Sequence, residues 1–329
     1  MKALVQRAYG PPDTLTWENV PDPVPGEGEV LVRVCATSVN PYDWHFLRGE
    51  PYVARLMAGG FGLRRPPVGV LGCDLAGRVE TAGTRFAPGD DVYALLPRGA
   101  HAEYVRVRED LLAPMPANLT YEQAAAMPMA GVTALLALRG TGAGQRVLVN
   151  GASGGVGTFA VQLAKALGAE VGAVCGAADA EVVRSLGADH VFDYRAEDFT
   201  RSGRRYDVLL DIAGSRSLFA CRRVLARNGT FVAVGGPAGR WVQPAGHVFA
   251  ALASGPLTRR RVVLADTVAC QEKATLLGEL AGMVERGAVT PVIDRSYPFD
   301  DLPAAFARSE AGHAKGKVVA TLGVPGGAA

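Results

Sequence analysis

The sequence predicts a two-domain α/β protein, and three observations support this prediction. The chain has 329 residues, and at roughly 100–200 residues per domain this length favours two domains. Short β-like runs separated by Gly and Pro fill residues 1 to about 115, a pattern typical of a β-rich, barrel-like domain. Strand-like and helix-like segments then alternate, which predicts right-handed βαβ crossovers and a doubly wound parallel sheet with helices on both faces.

The alternating part of the chain supplies the elements of that sheet. We predict one Ala-rich helical segment over 121–138, strands at 146–149, 170–174, 191–192, 208–210 and 230–234, and helices at 157–167, 180–186 and 218–225. The remaining sequence predicts a helix over 271–286, a strand over 292–297, another helix, and a strand over 317–321. We expect this C-terminal segment to pack on the first domain.

Composition excludes several classes of protein. Apolar residues make up 49% of the chain and the formal net charge is +2, so the chain is too apolar to be disordered. This charge supplies no basic field for nucleic acid or an anionic membrane, and we expect a small-molecule partner instead. No run of about 18 apolar residues occurs, and residues 1–7 contain no long apolar segment. We therefore expect a cytoplasmic protein.

The five cysteines give no sign of a disulfide framework or a zinc ribbon. They are odd in number and scattered, and no Cys-x-x-Cys pair occurs. We expect them to be small buried apolar residues in a reducing compartment.

The most informative motif is the glycine-rich run VLVNGASGGVG at residues 147–157. It leaves a predicted buried strand and enters a predicted helix, which is the context of a dinucleotide-binding loop. Ala152 stands where the first glycine usually lies, Gly154 lets the backbone approach a pyrophosphate, and Gly157 lets the helix lie close to the strand. The N-terminus of that helix would offer unpaired N–H groups to the phosphates.

The end of the next strand indicates which dinucleotide is bound. In NAD-binding proteins an acidic side chain about 20 residues after the loop bonds the ribose hydroxyls. Here that strand ends in VCGAAD, residues 174–179, with no acid at the expected place. The sequence therefore favours NADPH, with NADH possible, although no Arg or Lys stands there to hold a 2′-phosphate. Asp179 lies a few residues late and is alternatively a helix N-cap.

Several further motifs extend over nearly the whole chain. They are SVNPYD (38–43), VLGCDLAG (70–77), GAHAEYV (99–105), GVTA (131–134), LGADHVFDY (186–194) and HAKGK (313–317). Together with the glycine loop they resemble the zinc-independent, quinone-oxidoreductase-like branch of the medium-chain dehydrogenases and reductases. This branch includes zeta-crystallin and the reticulon-interacting mitochondrial proteins.

The resemblance implies an architecture and a cofactor site. It implies a GroES-like catalytic domain made of residues 1–123 and 267–329, a Rossmann domain over 124–266, and NADPH in the cleft between them. The cofactor contacts that it implies come from Thr133, Ser153, Gly154, Gly155, Val156, Gly176, Tyr194, Val234, His313, Ala314 and Lys315.

The predicted site departs from its relatives at the 2′-phosphate. Many relatives carry Ser at the position of Gly176 and some carry Arg near Ala178, and this chain has neither. Selection of NADPH would then depend on Tyr194, Lys315 and Arg195.

The zinc-ligand set of the related alcohol dehydrogenases is missing from the sequence. A catalytic zinc needs about three N, S or O ligands and an open position. The first ligand position holds Asn40, the usual Gly-His-Glu has become Gly72-Cys73-Asp74, and residues 92–104 contain none of the four cysteines of a structural lobe. We predict no metal site.

The candidate catalytic residues are Asn40, Asp43, His45 and Tyr52. Asn40 is a donor to a substrate oxygen or a turn residue before a proline, and Asp43 is catalytic or bonds the local backbone. His45, at a position where some relatives have Tyr, is a proton donor or a hydrogen-bonded cleft residue. Tyr52 is a weaker alternative in the 50–67 segment, which is either a roof over the substrate pocket or an ordinary surface loop.

Without a Lewis acid, hydride acceptors that delocalise charge themselves are favoured. The leading hypothesis is an NADPH-dependent oxidoreductase that transfers hydride to a quinone or an α,β-unsaturated carbonyl. The alternatives are an alcohol/keto or polyketide-type enoyl reductase, and an NADPH-binding, weakly active partner or sensor protein. Residues 261–266 resemble the edge strand through which relatives pair two Rossmann sheets, so we expect a homodimer.

Overall fold

Two structural units make up the chain in the computed structural model, which describes residues 1–56, 61–237, 239–258, 260–312 and 314–322. Unit 1 comprises residues 1–132, 270–287 and 291–329, and unit 2 comprises residues 133–269 and 288–290. The predicted cofactor residue His313 and residues 57–60 of the predicted loop lie outside the described residues.

The elements follow one another along the chain in three groups. The first group contains β1 (Lys2–Gln6), β2 (Thr16–Asn19), β3 (Glu29–Val39), α1 (Pro41–Arg48), β4 (Gly69–Val70), β5 (Asp74–Val79), β6 (Asp91–Leu95), β7 (Tyr104–Arg108), β8 (Leu112–Pro114), α2 (Tyr121–Ala125) and α3 (Pro128–Ala137). The second contains β9 (Arg146–Asn150), α4 (Gly155–Ala166), β10 (Glu170–Cys175), α5 (Ala180–Ser185), β11 (His190–Asp193), β12 (Tyr206–Asp211), α6 (Leu218–Cys221), β13 (Leu225–Ala233), α7 (Ala245–Thr258) and β14 (Arg261–Leu264). The third contains α8 (Lys273–Glu285), β15 (Ile293–Pro298), α9 (Leu302–Glu310) and β16 (Lys317–Thr321).

Unit 1 is built on a seven-stranded sheet. Its strand order is β15-β16-β3-β5-β6-β8, with β7 also paired to β3. The alternation of apolar residues in β3 places Val30, Val32 and Val34 in the core. The C-terminal strand β16 lies antiparallel to β3, so that Val319 faces Ser38 across the ladder. This pairing brings Lys317 close to residues that precede it by more than 200 positions.

Unit 2 is built on a six-stranded parallel sheet of order β11-β10-β9-β12-β13-β14. The central strands are continuous apolar runs because both faces of a parallel sheet are covered, and Val147, Leu148 and Val149 are all fully buried. The strand order reverses between β9 and β12, which makes the carboxyl ends of these two strands a topological switch point. Among the described residues, no helix combines the length and the hydropathy that crossing a bilayer requires.

Two predicted helices differ from the structure. The predicted helix over 121–138 is wrong as a single element, since α2 ends at Ala125 and α3 begins at Pro128. Proline lacks an N–H and disfavours helical conformation in the residue before it, so the helix restarts there. The predicted helix over 218–225 is also too long, because α6 ends at Cys221 and β13 begins at Leu225.

Candidate functional site

The glycine loop connects β9 to α4 and is shaped by two glycines with different roles. A Cβ on Gly157 would lie 2.1 Å from the carbonyl oxygen of Gly151, so only glycine allows α4 to approach the strand this closely. A Cβ on Gly154 would lie 3.7 Å from that same oxygen, its nearest neighbour. The backbone at Gly154 is therefore open on its outer side, as a phosphate cradle requires.

The loop leads directly into the N-terminus of α4. Gly154 is the N-cap residue, and Ser153, Gly155 and Val156 are partly exposed. The first N–H groups of a helix lack partners within the helix, and the macrodipole is positive at that end. The sequence-predicted residues of this loop are thus placed together at a site suited to a diphosphate.

A second group of predicted residues lies at the carboxyl end of β10. Gly176 follows the strand with an ordinary φ of −82°, and a Cβ there would lie 3.6 Å from the ring of Tyr194. The Tyr194 ring is 45% exposed, and the guanidinium of Arg195 lies 5.5 Å from its centroid. Gly176, Tyr194 and Arg195 therefore lie together at one corner of the sheet. The guanidinium of Arg195 gives this group of three residues one positive charge, and none of the three is a carboxylate. Asp179 precedes α5 at the N-cap position, but its side chain makes no capping hydrogen bond there.

The remaining unit 2 candidates lie at the ends of other elements. Val234 follows β13, and its N–H donates to the carbonyl of Asp211 at 3.0 Å. Thr133, in α3, is buried and its hydroxyl lies 2.7 Å from that of Thr267.

The carboxyl ends of β9 and β12 carry a polar group that the sequence analysis missed. Nδ2 of Asn150 donates to Oδ1 of Asp211 at 2.6 Å. Nε2 of His247, in the first turn of α7, lies 2.7 Å from Oδ2 of the same carboxylate. Asp211 is fully buried, whereas the side chain of His247 is 12% exposed.

In unit 1, the predicted residue Asn40 belongs to a buried ionic network. Oδ2 of Asp74 accepts hydrogen bonds from Ser38 Oγ at 2.6 Å, Asn40 Nδ2 at 3.0 Å and Lys317 Nζ at 3.0 Å. Its Oδ1 accepts from the N–H of Met129 at 2.8 Å, and Lys317 Nζ also donates to Asn40 Oδ1. Asp74 is fully buried and Lys317 is 4% exposed, so these donors offset the cost of burying both charges.

Asp43 lies beside this network at the start of α1. Its Oδ2 accepts from the N–H of Asn40 at 2.8 Å, which satisfies an N–H at the helix start. Burial, together with the negative charge of Asp74, raises the pKa of Asp43 to about 6 against the lowering effect of the hydrogen bond from Asn40. This contact fits the alternative in which Asp43 bonds the local backbone.

His45 makes its contacts within its own helix and loop. Its Nδ1 lies 3.0 Å from the carbonyl oxygen of Glu50, and its ring centroid lies 3.8 Å from that of Trp44. Burial lowers the pKa of His45 to about 4. The ring is therefore neutral at neutral pH; with Nδ1–H donated to the carbonyl, Nε2 keeps a lone pair that can accept a hydrogen bond, and the ring has no imidazolium proton to supply.

The last predicted residues of unit 1 lie in two loops. Tyr52 begins a 3₁₀ turn (Tyr52–Leu56), and the guanidinium of Arg55 lies 4.6 Å from its ring centroid. The N–H of Lys315 donates to Oδ1 of Asp294 at 3.0 Å, and Ala314 packs against the core that includes Phe306.

The residues at the positions of the zinc ligands of alcohol dehydrogenases, Asn40, Cys73 and Asp74, do not form a zinc site in the part of the chain that the structure describes. No group of three or more His, Cys, Asp or Glu side chains there could hold a metal. The oxygens of Asn40 and Asp74 instead bind the ammonium of Lys317, and this positive charge would repel a cation. Burial raises the pKa of the Cys73 thiol well above its ordinary value.

Comparison with known proteins gives the family. Residues 26–117 match the alcohol dehydrogenase GroES-like domain family and residues 186–319 match the zinc-binding dehydrogenase family. The chain is 34% identical, over 97% of its length and 98% of the relative's, to a chloroplast envelope quinone oxidoreductase homolog of Arabidopsis thaliana. The chain belongs to the medium-chain dehydrogenase/reductase superfamily.

Other superfamily members cover the chain equally well. The human mitochondrial NAD(P)H oxidoreductase RTN4IP1 is 33% identical over 97% of this chain and 88% of its own. An NADPH-dependent alkenal/one oxidoreductase from Arabidopsis thaliana chloroplasts is 33% identical over 97% and 79%.

Solved structures of superfamily members confirm the predicted fold class. The quinone oxidoreductase of Coxiella burnetii superposes with a TM-score of 0.86 at 27% identity, over 98% of this chain and 99% of that one. A mycobacterial protein solved with NADPH has a TM-score of 0.81 at 27% identity, over 98% and 100% of the two chains.

Proposed function

We propose that the protein is an NADPH-dependent oxidoreductase that reduces quinones or α,β-unsaturated carbonyl compounds. The main observation behind this proposal is the open glycine loop at the topological switch point between β9 and β12. The chain's membership of the superfamily supports the same interpretation of the loop. Relatives named quinone oxidoreductase and alkenal/one oxidoreductase support the substrate class. NADPH, when bound, supplies a hydride to the acceptor.

We assign cofactor binding to residues 124–266 and the catalytic role to residues 1–123 and 267–329. The loop 153–156 would hold the diphosphate, since its backbone is open and leads into a helix N-terminus. Gly176, Tyr194 and Arg195 would take the adenosine end, because they follow β10 and β11, the neighbouring strands of the same half of the sheet. Thr133, Val234, His313, Ala314 and Lys315 remain proposed contacts for the rest of the cofactor.

We propose that the reaction proceeds without zinc. Lys317 supplies the positive charge next to Asp74 and Asn40, so these residues orient one another and leave no complete ligand set. A quinone or an enone suits such a site because it spreads the developing charge onto its own conjugated oxygen. Stoichiometric zinc in chelator-washed, active protein would contradict this part of the proposal.

The activity is tested with a panel of quinones and enones, using NADPH and NADH as separate reductants. We expect turnover with NADPH on at least one compound class, and little on simple ketones. The matched variant is Gly154→Ala, whose added Cβ has open space in the fold but stands where a phosphate would lie. We expect it to fold normally and to bind NADPH about tenfold or more weakly. Wild-type protein that binds NADPH but reduces no compound would favour a sensor or partner role.

We further propose a homodimer formed through β14. This strand is the last in the six-stranded order, and an open strand edge is a site for pairing with another chain. Leu264 and Val268, at and beyond its end, are 41% and 57% exposed. Light scattering should give twice the mass of the chain, and a monomeric mass at micromolar concentration would contradict the proposal.

The cytoplasm is the proposed location. All five cysteines are free and four of them are buried, which fits a reducing compartment. Expression of a tagged chain in its source cells, followed by fractionation, tests this proposal.

A further inference from the structure

Asp211 fixes the orientation of His247 at the carboxyl edge of the unit 2 sheet. The fully buried carboxylate of Asp211 accepts from Asn150 Nδ2 at 2.6 Å and from the N–H of Gly214 at 3.1 Å through Oδ1. Its Oδ2 is left for Nε2 of His247, at 2.7 Å. The imidazole is thus held at one nitrogen, while the side chain stays 12% exposed.

This pair stands where a dinucleotide is expected to bind. Asn150 ends β9 and Asp211 ends β12, the two neighbouring strands between which the strand order reverses. Ligands of open α/β sheets bind outside the carboxyl ends of the strands at this point. The half of the sheet formed by β9, β10 and β11 takes the adenosine side, so Asp211 and His247 belong to the half that takes the second mononucleotide.

The loops around the pair are packed closely. A Cβ on Gly214 would lie 2.5 Å from Cα of Gly236, and a Cβ on Gly236 would lie 3.2 Å from Cβ of His247. A Cβ on Gly151, the first residue of the glycine loop, would lie 3.3 Å from Cβ of Ala213. His247 is therefore connected to the first residue of the glycine loop by closely packed loops that contain Gly236, Gly214 and Ala213.

The charge state of His247 decides what it can offer to a ligand. A carboxylate only accepts hydrogen bonds, so Nε2 carries a proton. Nδ1 then carries a second proton only in the imidazolium, and is a bare lone pair in the neutral ring. The hydrogen bond to Asp211, together with its negative charge, raises the pKa of His247 against the effect of burial.

Among the described residues, Asp211 is the charged group that acts on His247. Of the elements packed against α7, α6 carries no charged residue, and Arg261 of β14 pairs with Thr230 near the amino edge of the sheet, away from the carboxyl end. Gln243, which accepts from the N–H of His247 at 2.9 Å, is neutral. The local environment therefore couples the protonation of His247 mainly to Asp211.

We propose that His247, held by Asp211, is a cofactor-binding residue that donates from Nδ1–H to an anionic diphosphate oxygen on the nicotinamide side of NADPH. The proposal rests on the proposed function, because it needs NADPH in this site. Its consequence is that cofactor binding weakens as the pH rises and His247 loses its second proton. No redox or covalent step is involved.

The test is the dissociation constant of the full-length protein for NADPH, NADH and 2′,5′-ADP at about pH 6 and pH 8.5. A charge-assisted hydrogen bond contributes about 1.5–3 kcal/mol, which is a factor of about ten or more in affinity. We expect wild-type protein to bind NADH about tenfold more weakly at the higher pH. NADH is the key probe because it lacks the 2′-phosphate, which itself titrates near pH 6.

The variant His247→Gln keeps a donor for Asp211 and removes the ionisable ring. We expect it to bind NADPH and NADH weakly at both pH values, and to bind 2′,5′-ADP, which lacks the nicotinamide side, as wild type does. The matched control is His190→Gln, which alters another histidine–carboxylate pair, His190 Nε2 to Glu170 Oε1 at 3.2 Å, at the amino edge of the same sheet. It should leave all three affinities unchanged.

A second variant covers the case in which His247→Gln does not fold. The variant Asp211→Asn removes the negative charge that raises the pKa of His247. The pH at which NADH binding weakens should therefore be lower in this variant than in wild type. Such a shift would not arise from a merely structural role.

The proposal is overturned if the affinity for NADH does not depend on pH in wild type, or if His247→Gln binds all ligands as wild type does. It is equally overturned if 2′,5′-ADP binding falls in parallel. If wild-type protein binds 2′,5′-ADP but neither dinucleotide, this inference is refuted and the proposed adenosine site is retained. If wild-type protein binds none of the three ligands, the proposed function itself is refuted.

Discussion

The buried polar networks of the two units differ in how completely the protein satisfies them. In unit 1, Asp74 accepts four hydrogen bonds and Lys317 binds both Asp74 and Asn40, all inside the core. In unit 2, Asp211 is equally buried, yet its partner His247 stays 12% exposed and uses one ring nitrogen for it. The first network is closed on itself, whereas the second ends at the surface.

This difference separates charged groups that only stabilise the fold, as in unit 1, from charged groups that can also contact a ligand, as in unit 2. A buried ion pair whose donors and acceptors are all used contributes to a defined core and has little left for a bound molecule. A buried carboxylate that orients a partly exposed imidazole instead stabilises the protonated form of that imidazole, and the imidazole can then contact a ligand. Substitution of Lys317 tests this separation directly, and substitutions of His101, Gly157 and Gly176 test other features of the two units with progressively smaller expected effects.

The largest effect is expected from Lys317→Met. It leaves the Asp74 carboxylate buried without its counter-charge, which costs about 3–5 kcal/mol of the free energy of unfolding. Urea unfolding followed by circular dichroism measures this loss. The matched control is Lys165→Met, since Lys165 pairs with Asp189 at 2.9 Å and both side chains are 36% exposed. Such a surface pair contributes at most about 1 kcal/mol, and an equal loss in both variants would contradict the separation.

A pH-dependent loss of stability is expected from His101. It is fully buried in unit 1, and burial lowers its pKa to about 4 against the raising effects of the Ser38 backbone and of the negative charge of Asp74. Because the folded pKa lies below the unfolded value of about 6.5, the unfolded state takes up a proton first as the pH falls. The stability present above pH 6.5 is therefore lost towards pH 4, by roughly 3 kcal/mol at about 1.4 kcal/mol per pH unit.

The variant His101→Phe isolates this contribution. His45, with a pKa of about 4, acts in the same direction. Asp43 acts in the opposite one, because its pKa of about 6 gives stability below pH 4 that is lost as the pH rises through 6. Unfolding free energies at several pH values should show a shallower acid loss in the variant than in wild type. Parallel curves would show that His101 does not change its protonation on unfolding in this range.

Sequence alone predicted what depends on local spacing and missed what depends on distant contacts. The close packing at Gly157 and the open backbone at Gly154 follow from their positions between a strand and a helix. Lys317 and Asp74 lie 243 residues apart, so the HAKGK motif gave no hint that its second lysine enters the core. His247 stands in no motif and reaches Asp211 across 36 residues. His45, for which the sequence left a proton donor and a hydrogen-bonded residue as alternatives, lies in a setting that keeps it neutral.

A smaller loss of stability is expected from Gly157→Ala. Its Cβ would lie 2.1 Å from the Gly151 carbonyl and 2.7 Å from the backbone of Ala152, so α4 must move away from β9. Overpacking of this kind costs about 1–3 kcal/mol. Gly154→Ala, whose Cβ meets nothing closer than 3.7 Å, should change stability by less than about 0.5 kcal/mol. Thermal melts of both variants make this comparison, and the reverse order of stabilities would show that the two glycines have been assigned the wrong roles.

The smallest effect is expected at the corner formed by Gly176, Tyr194 and Arg195. The backbone at Gly176 accepts a side chain, since its φ is −82° and a Cβ would meet the Tyr194 ring at 3.6 Å, an ordinary contact. In Gly176→Ser, a hydroxyl beside a 2′-phosphate would add a charge-assisted hydrogen bond and raise the ratio of kcat/KM for NADPH to that for NADH by about tenfold. Gly176→Ala adds the Cβ without the hydroxyl and should leave the ratio unchanged. If both variants lower the ratio, the corner is too crowded for the 2′-phosphate, and NADPH selection must come from Lys315 or from another part of the chain.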